Sequence, residues 1–296
     1  MSVLAFVDYL SHEKNYSGHT INAYQNDIVE FSSFCADEFE VSNIEDISYP
    51  LIRSWVVALV DKQISNRSVN RKVASLKAYY KFLQRTGAID SNPLAKHKAL
   101  KTSKKIEVPF SEEEMERAMS QITFENDFEG LRDKLIIDLL YTTGMRRAEL
   151  INLKMANVDF QNKTIKVLGK RNKERIIPLL PGTIELLERY LDYRTALEII
   201  FDKAFIFLSK SGNKIYGTLV YRIINGYLSK VSSKLKRSPH ILRHTFATHL
   251  LNKGADLNSV KELLGHSSLA STQVYAHNSI AELKKVHSLN HPRSKE

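Results

Sequence analysis

The stretch VDFQNKTIKVLGKRNKERIIPL, residues 158–179, decides the fold class of this chain. Its apolar residues alternate with polar ones in short runs, and turn-forming residues interrupt the runs twice. This period of two predicts three short strands joined by turns at Gln161–Lys163 and Gly169–Lys173. Elsewhere the apolar residues recur three and four apart, which is typical of amphipathic helices. The sequence therefore predicts a mainly α-helical fold that carries one small three-stranded antiparallel sheet.

The part of the chain before this stretch reads as a helical domain and a linker. Apolar stripes at helical spacing run through NAYQNDIVEFSSFC, SYPLIRSWVVALVDKQ and SVNRKVASLKAYYKFLQRTG, and ISNRS separates the last two as a turn. The segment 96–108 has no apolar period and carries five lysines between Lys96 and Lys105. We therefore expect a helical domain over 1–95, a basic linker over 96–108 and a mostly helical domain over 109–296.

The composition limits the class of protein. The 296 residues are 43% hydrophobic, enough for a sizeable core in two domains, and the formal net charge of +10 favours a nucleic-acid partner. The single cysteine, Cys35, excludes an intramolecular disulfide framework and a cysteine-rich zinc site. The N-terminus lacks the basic flank and long apolar run of a signal peptide or membrane span, so we expect a cytoplasmic protein with no membrane partner.

The stretch PHILRHTFATHLL, residues 239–251, predicts an amphipathic helix with an unusual number of histidine and arginine side chains. Ser238 precedes it as a capping residue, and the start of a helix favours anions. His240 and Arg243 are three residues apart and share one face near that start. They fit an anion site, although these two residues taken alone favour the solvated edge of a surface helix.

Four further places carry candidate chemistry, and each also has an ordinary interpretation. Arg146 follows a glycine break and Glu149 could hold its guanidinium, as in any surface ion pair. Lys170 lies on the tip of the second predicted turn, where charge is usually only solvated. His266 follows Gly265 at a predicted helix end, and Tyr275 lies on the next apolar run, where a half-buried tyrosine is common.

Taken together, these motifs resemble a known family. TTGMRRAEL, VLGKRNKERIIPL, SPHILRHTFATHLL and LLGHSSLASTQVYAH occur in the order and at the separations seen in tyrosine site-specific recombinases, with the Xer subgroup as the most similar. The first domain, with NYSGHTINAYQNDIVEF, resembles the family more loosely. Ala148 departs from the pattern, because the family often has Ser or Gly before the glutamate, but every catalytic residue type is present.

The resemblance implies a reaction in which Tyr275 attacks a DNA phosphodiester to give a 3′-phosphotyrosine and a free 5′-hydroxyl. A phenol has a pKa of ~10 and needs help to attack at neutral pH. Guanidiniums can clamp the charged oxygens of the transition state, and a positioned cation can protonate the leaving oxygen. The implied catalytic residues are Arg146, Lys170, His240, Arg243, His266 and Tyr275, with Glu149 supporting an arginine.

The expected reaction uses no metal and no nucleotide. Exchange of one phosphoester for another conserves bond energy, so strand exchange needs no hydrolysis of ATP. The sequence contains no GxxxxGK[ST] loop and no carboxylate cluster suited to two-metal nuclease chemistry. We therefore expect no cofactor.

The resemblance also implies partners. The first is a double-stranded DNA recombination site, which the two domains would enclose, with the basic linker crossing the backbone. The implied working unit is a tetramer, of this chain alone or with a second recombinase, in which the C-terminal helix AELKKVHSLNH docks into a neighbour. A cell-division DNA translocase is the expected activator. Candidate DNA contacts in the first domain, for which a solvated helix face is the equal alternative, are Arg67, Arg71, Lys72 and Lys77. The further candidates, in the linker and the predicted hairpin, are Lys101, Lys104, Lys105, Arg171 and Lys173.

Resolution of chromosome or plasmid dimers is the expected role, and three alternatives remain open. A phage or transposon integrase would share the chemistry, and a type IB topoisomerase would also form a 3′ adduct. An inactive DNA-binding relative is the third. The roles of His244, His249 and His277 are not assigned, although we expect His244 and His249 to lie in the core or behind a catalytic residue.

Overall fold

A computed structural model describes residues 3–45, 47–102, 108–169, 173–234, 237–265 and 286–295. The chain divides into two compact units, Met1–Lys105 and Ile106–Glu296. In the described residues both units are built of helices, and the second also contains one small sheet. The predicted fold class, mainly α with a small sheet, is confirmed.

The first unit is a helical bundle around aromatic side chains. Ser17 and Ser65 cap the starts of two of its helices. Each serine hydroxyl accepts a hydrogen bond from the backbone N–H three residues later in the chain. The ring centroids of Phe31 and Trp55 lie 5.0 Å apart in its core. Its helices are α1 (Val3–Asp8), a π-helical turn (Tyr9–Glu13), α2 (Gly18–Phe39), α3 (Tyr49–Asp61) and α4 (Asn66–Arg85).

A buried carboxylate joins α2 to α4. Asp27 is 2% exposed and accepts two hydrogen bonds from Arg71, at 2.6 and 2.8 Å, and one from Ser75 at 2.7 Å. Lys72 donates to the same carboxylate at 3.4 Å and forms an ion pair with Glu30. The charge of Asp27 is therefore fully compensated inside the first unit, which is what a buried ion requires.

The first residues of the predicted basic linker pack along α4. The Asn70 side chain donates to the Leu100 carbonyl and accepts from the Leu100 N–H, both at 2.8 Å. Asn66 donates to the Lys101 carbonyl at 2.8 Å, and Leu94 is fully buried. Two asparagines of α4 thus pair with backbone groups of Leu100 and Lys101. Residues 103–107, which include Lys104 and Lys105, lie outside the described residues.

The second unit surrounds one buried helix with shorter ones. The central helix contacts four others, α7, α8, α9 and α10, and its side chains are buried nearly all round. The elements are α5 (Glu112–Ser120), α6 (Phe128–Thr143), α7 (Arg147–Ile151), a 3-10 turn (Met155–Asn157), β1 (Val158–Asp159), β2 (Thr164–Leu168), β3 (Glu174–Pro178), α8 (Pro181–Thr195), α9 (Gly217–Leu228), α10 (Pro239–Asn252) and α11 (Leu257–Leu264). The central helix is α6.

The sheet has the predicted strands in the order β1-β2-β3, with both pairs antiparallel. Val158 lies opposite Ile165, and Val167 lies opposite Arg175. The N–H of Gly169 donates to the Lys173 carbonyl at 2.8 Å and so closes the hairpin of β2 and β3. The tip of that hairpin, residues 170–172 with Lys170 and Arg171, lies outside the described residues.

The C-terminal segment packs on its own unit. Residues 286–290 are helical, and the rings of His287 and His291 lie near Phe246 of α10. His287 hydrogen-bonds the Thr142 carbonyl of α6 at 2.5 Å, and Arg293 forms an ion pair with Asp138 of the same helix. In this single chain the described part of the predicted docking helix thus covers α6.

Each helix in the described ranges is too short or too polar to cross a bilayer.

Candidate active site

The site begins at the glycine that ends α6. Gly144 adopts φ +60°, and an added Cβ would lie 2.4 Å from the Phe246 ring and 2.9 Å from Leu264. A side chain is therefore excluded both by the left-handed backbone and by packing. This abrupt turn brings the chain through buried Met145 to Arg146, immediately before α7.

Glu149 is the centre of a network of two arginines. It accepts from the backbone N–H of Arg146 at 2.7 Å and from the Arg146 guanidinium at 2.8 Å. Arg175 of β3 donates to both carboxylate oxygens of Glu149, each at 2.8 Å. Burial alone would raise the pKa of Glu149, but the bonds from Arg175 and Arg146 outweigh it and hold that pKa below its ordinary value. Glu149 is thus an ionised, buried carboxylate.

Arg243 is held by the ends of two helices. Its Nη1 donates to the Gly144 carbonyl at 2.5 Å and its Nη2 to the Leu264 carbonyl at 2.6 Å. These carbonyls end α6 and α11, where the helix dipole is negative and favours a cation. Arg243 is only 7% exposed, and burial followed by the charge of Arg146 lowers its pKa to about 10.

Arg146 reaches the same helix end. Its Nη2 donates at 3.3 Å to the carbonyl of Gly265, the residue after the Leu264 that binds Arg243. Gly265 adopts φ +63°, and its Cβ position lies 3.0 Å from Cδ of Arg175, so this helix end also requires glycine. Arg146 and Arg243 are thus anchored to consecutive carbonyls, and together they make a cationic site suited to a phosphate.

The structure brings together some of the candidate catalytic residues. Arg146, Glu149 and Arg243 meet in one network, as described above. His240 is exposed on the first turn of α10, the helix that carries Arg243. Lys170, His266 and Tyr275 lie outside the described residues, as does His277.

Two other histidines of the α10 stretch are now placed. His249 is buried and bridges the Tyr141 hydroxyl at 3.0 Å and the Phe110 carbonyl at 2.9 Å, so its expected core position is confirmed. His244 is exposed and does not lie in the core, so of its two expected positions the one behind a catalytic residue stays a prediction. The helical stripe explains the difference, because His249 lies close to the Phe246 face that packs on α6 while His244 does not.

Arg175 is the residue that the sequence motifs missed. Its side chain is only 10% exposed, although it stands among the basic residues of a predicted surface hairpin. Alternation along β3 contains the signal, because Arg175 shares the face of buried Ile177, two residues on. A charged residue in phase with a buried strand face requires a buried partner, and here that partner is Glu149.

The candidate DNA contacts of the first unit differ in their surroundings. Arg67 and Lys77 of α4 are exposed, and so is Lys101. Arg71 and Lys72 instead hold Asp27, although the Arg71 side chain remains 48% exposed. In the second unit Lys173 is exposed immediately before β3.

The chain is similar to known families and proteins over nearly its whole length. The phage integrase family matches residues 111–282, and the phage integrase N-terminal SAM-like domain matches residues 3–87. The tyrosine recombinase XerC of Oceanobacillus iheyensis is 39% identical over 292 residues, covering 98% of this chain and 95% of that protein. The XerC of Bacillus subtilis is 36% identical over 297 residues, covering 99% and 96%.

Two solved structures share the fold. The Tn1549 transposon integrase in complex with circular intermediate DNA has a TM-score of 0.69 at 23% identity, covering 96% of this chain and 98% of that one. The XerH recombinase bound to its difH substrate has a TM-score of 0.69 at 22% identity, covering 97% and 84%. The two matched domains and the near full-length similarity to XerC lead to one conclusion: the chain belongs to the phage integrase family and is a tyrosine recombinase of the Xer group.

Proposed function

We propose that this recombinase cuts and rejoins DNA through Tyr275. The Tyr275 hydroxyl attacks the phosphorus, a 3′-phosphotyrosine bond forms, and the bond to the 5′-oxygen breaks. Arg146 and Arg243 bind the non-bridging oxygens, and His240 and His266 donate to the same oxygens. His240 accepts the tyrosine proton and Lys170 protonates the leaving 5′-oxygen. The roles of the three residues outside the described ranges rest on the motif pattern of the family.

The observation that supports this site best is the anchoring of two guanidiniums side by side. Arg243 donates to the Leu264 carbonyl at 2.6 Å and Arg146 to the Gly265 carbonyl at 3.3 Å, so both guanidiniums bind the same helix end. Their mutual repulsion contributes to the lowered pKa of Arg243. An anion placed between them relieves that repulsion, as a DNA phosphate would. Because one phosphoester replaces another, the proposed reaction uses neither metal nor ATP.

The proposed substrate is a double-stranded recombination site. The exposed side chains of Arg67, Lys77, Lys101 and Lys173 would contact its phosphates, as would Arg171, Lys104 and Lys105. Arg71 would join them through its exposed part, whereas Lys72 faces two carboxylates and is the weakest candidate. The first unit and the basic segment 96–108 would thereby clamp the duplex against the catalytic domain.

The proposed working unit is a tetramer on two sites, formed by this chain alone or with a second recombinase. In it the C-terminal helix leaves its own unit and docks into a neighbour. We propose resolution of chromosome or plasmid dimers in the cytoplasm, with a cell-division DNA translocase as activator. The XerC relatives support this role over that of a phage or transposon integrase.

The test is covalent capture on a nicked duplex. The full-length protein is incubated with a duplex that carries a candidate site and a nick beside the cleavage position, in EDTA and without ATP. A short 5′ fragment diffuses away after cleavage, so the protein–DNA adduct accumulates and survives SDS. Tyr275→Phe should form no adduct, and Arg243→Lys should slow its formation by ~10²-fold or more, because a point charge does not replace a bidentate guanidinium.

The products distinguish the alternatives. Recombinant molecules from two-site plasmids support the proposed role, whereas relaxed circles without recombinants would indicate a type IB topoisomerase. DNA binding with no adduct, on sites where a partner recombinase is active, would indicate an inactive relative. An adduct that persists in Tyr275→Phe would overturn the assignment of the nucleophile.

A further inference from the structure

One side chain outside the six proposed catalytic residues touches three segments of the site. Arg175 of β3 binds both oxygens of Glu149 at 2.8 Å, and its Nε donates to the Leu263 carbonyl at 2.8 Å. Its Cδ and guanidinium lie 3.0 to 3.3 Å from the position that a Cβ of Gly265 would occupy. Arg175 therefore joins the sheet, the start of α7 and the end of α11.

The partners of Glu149 show what Arg175 does for the charge of the site. Oε1 accepts from the guanidiniums of Arg146 and Arg175, and Oε2 accepts from the Arg146 N–H and from Arg175. Arg175 is the more buried guanidinium and forms the bidentate pair, with side chains 10% and 4% exposed. Arg146 is 29% exposed and shares only one oxygen through its side chain. The carboxylate is thus neutralised mainly by Arg175.

We propose that Arg175 is a positioning residue that keeps the positive charge of Arg146 available to the DNA phosphate. Without Arg175, the buried carboxylate of Glu149 has one cation left, and it draws Arg146 into a closed pair. A cation that is matched by a buried carboxylate attracts a phosphate less. With Arg175 present, two guanidiniums face one carboxylate, and one positive charge remains for the substrate.

Arg175 also sets the position of a second segment. The Leu263 carbonyl belongs to the last turn of α11, and the neighbouring carbonyls of Leu264 and Gly265 anchor Arg243 and Arg146. A planar guanidinium that binds a carboxylate and a carbonyl together fixes their separation, which a lysine does not. The inference rests on the proposed function, since it assigns Arg146 to the phosphate.

The experiment measures the single-turnover rate of adduct formation on the nicked duplex, at saturating protein, with DNA affinity measured in parallel. Arg175→Gln is expected to slow cleavage by ~10²-fold with DNA affinity unchanged, comparable to loss of one oxyanion donor. Arg175→Lys keeps the positive charge but loses the bidentate guanidinium, so its cleavage rate should lie between those of Arg175→Gln and the unmodified protein. Lys166→Gln is the matched control, because Lys166 is an exposed residue of the same sheet, paired with Glu174 on the surface, and its removal should leave the rate unchanged.

A second substitution separates charge control from simple damage. Glu149→Gln, added to Arg175→Gln, removes the carboxylate that captures Arg146, so the double variant should cleave faster than Arg175→Gln alone. If Arg175 only supported the fold, the second change would add to the loss. A double variant slower than the single one would therefore overturn the proposal.

A modified substrate gives an independent reading. A methylphosphonate at the cleavage position replaces a charged non-bridging oxygen with a neutral methyl group, so the charge of Arg146 contributes less. The difference between Arg175→Gln and the unmodified protein should then shrink sharply, whereas a misfolded variant would be slow on both substrates. If Arg146→Ala abolishes cleavage and Arg175→Gln cleaves at the unmodified rate, the inference fails and the proposed function stands. If Arg146→Ala cleaves normally, the proposed site itself fails.

Discussion

Asp138, in the middle of buried α6, forms its ion pair with Arg293, three residues before the end of the chain. The Asp138 side chain is fully buried and also accepts a hydrogen bond from Thr183 at 2.6 Å. Among the described residues, the cation that compensates this charge at the centre of the second unit is Arg293 of the C-terminal segment. Removal of that cation leaves an unmatched buried carboxylate, which is strongly unfavourable.

We expect Arg293→Gln to lower the free energy of unfolding of the second unit by about 3–5 kcal/mol. Urea-induced unfolding, followed by the signal of that unit, measures it. Arg189→Gln is the control, because Arg189 is an exposed arginine with one hydrogen bond to Asn126 and should change stability by less than about 0.5 kcal/mol. An Arg293→Gln variant as stable as the control would show that Asp138 is compensated by other groups.

The stability of the second unit should fall in mild acid because of two buried histidines. Burial lowers the pKa of His287 to about 4, and burial with the charge of His287 lowers that of His291 to about 3. An unfolded histidine titrates near pH ~6.5, so the native state binds fewer protons between that pH and its own lower pKa. Stability is therefore complete above pH ~6.5 and is lost as the pH falls from there towards ~4 and ~3.

At pH 5.5 each of these histidines should lower the free energy of unfolding by about 1.2 kcal/mol relative to its value at pH ~7. Urea unfolding of the second unit at a series of pH values checks this. His291→Gln should flatten the pH profile, while His244→Gln, at an exposed position, should leave its slope unchanged. Equal slopes in His291→Gln and the unmodified protein would contradict the assignment.

The site of Arg146 and Arg243 should bind a simple oxyanion. Arg243 is buried against backbone carbonyls beside a second cation, and a divalent anion would stabilise the native state by mass action. We expect sulfate to raise the Tm of the second unit by about 2–4 °C for each kcal/mol of binding. Thermal unfolding in sulfate and in chloride at equal ionic strength measures the effect.

That shift should disappear in Arg243→Gln and persist in Lys210→Gln, since Lys210 is a largely exposed lysine away from the site. A sulfate effect of the same size in all three proteins would indicate general exclusion of salt from the surface.

The basic residues of α4 should separate into two classes. Arg67→Gln should weaken DNA binding, because Arg67 is exposed and can reach a phosphate. The slope of log K against log salt concentration should become shallower by about 1, which corresponds to the loss of one phosphate contact. Lys72→Gln should leave DNA affinity nearly unchanged and lower stability, because Lys72 is paired with Asp27 and Glu30. Titrations at several salt concentrations, with urea unfolding in parallel, test both. Equal losses of affinity in the two variants would show that Lys72 reaches DNA despite its pairs.

The features that the sequence predicted correctly depend on neighbours in the chain. Gly144, the glycine break predicted before Arg146, ends α6 in the left-handed conformation. Strand alternation placed the sheet, and the pairing of Arg146 with Glu149 spans one helical turn. Each of these follows from local backbone geometry and from side chains three or four residues apart.

The features that were missed are contacts between distant segments. Arg175 reaches Glu149 across 26 residues of sequence, and Arg71 reaches Asp27 across 44. A basic residue beside other basic residues has the same local pattern whether it meets water, DNA or a buried carboxylate. The partner is decided by how helices and strands pack, which a single sequence does not encode in any short window.

The pairing of Asp138 with Arg293 limits how subunits could exchange their C-terminal segments. Each chain contributes one Asp138 and one Arg293 to this pairing. A subunit that gives its C-terminal segment to a neighbour must therefore receive the segment of another subunit to compensate its own Asp138. In an open row of subunits, the Asp138 of the subunit at one end would receive no Arg293 and would remain an uncompensated buried charge. The Arg293 of the subunit at the other end would have no Asp138 to bind. A closed ring has no first or last member. Exchange of this segment therefore favours cyclic assemblies, whatever their number of subunits.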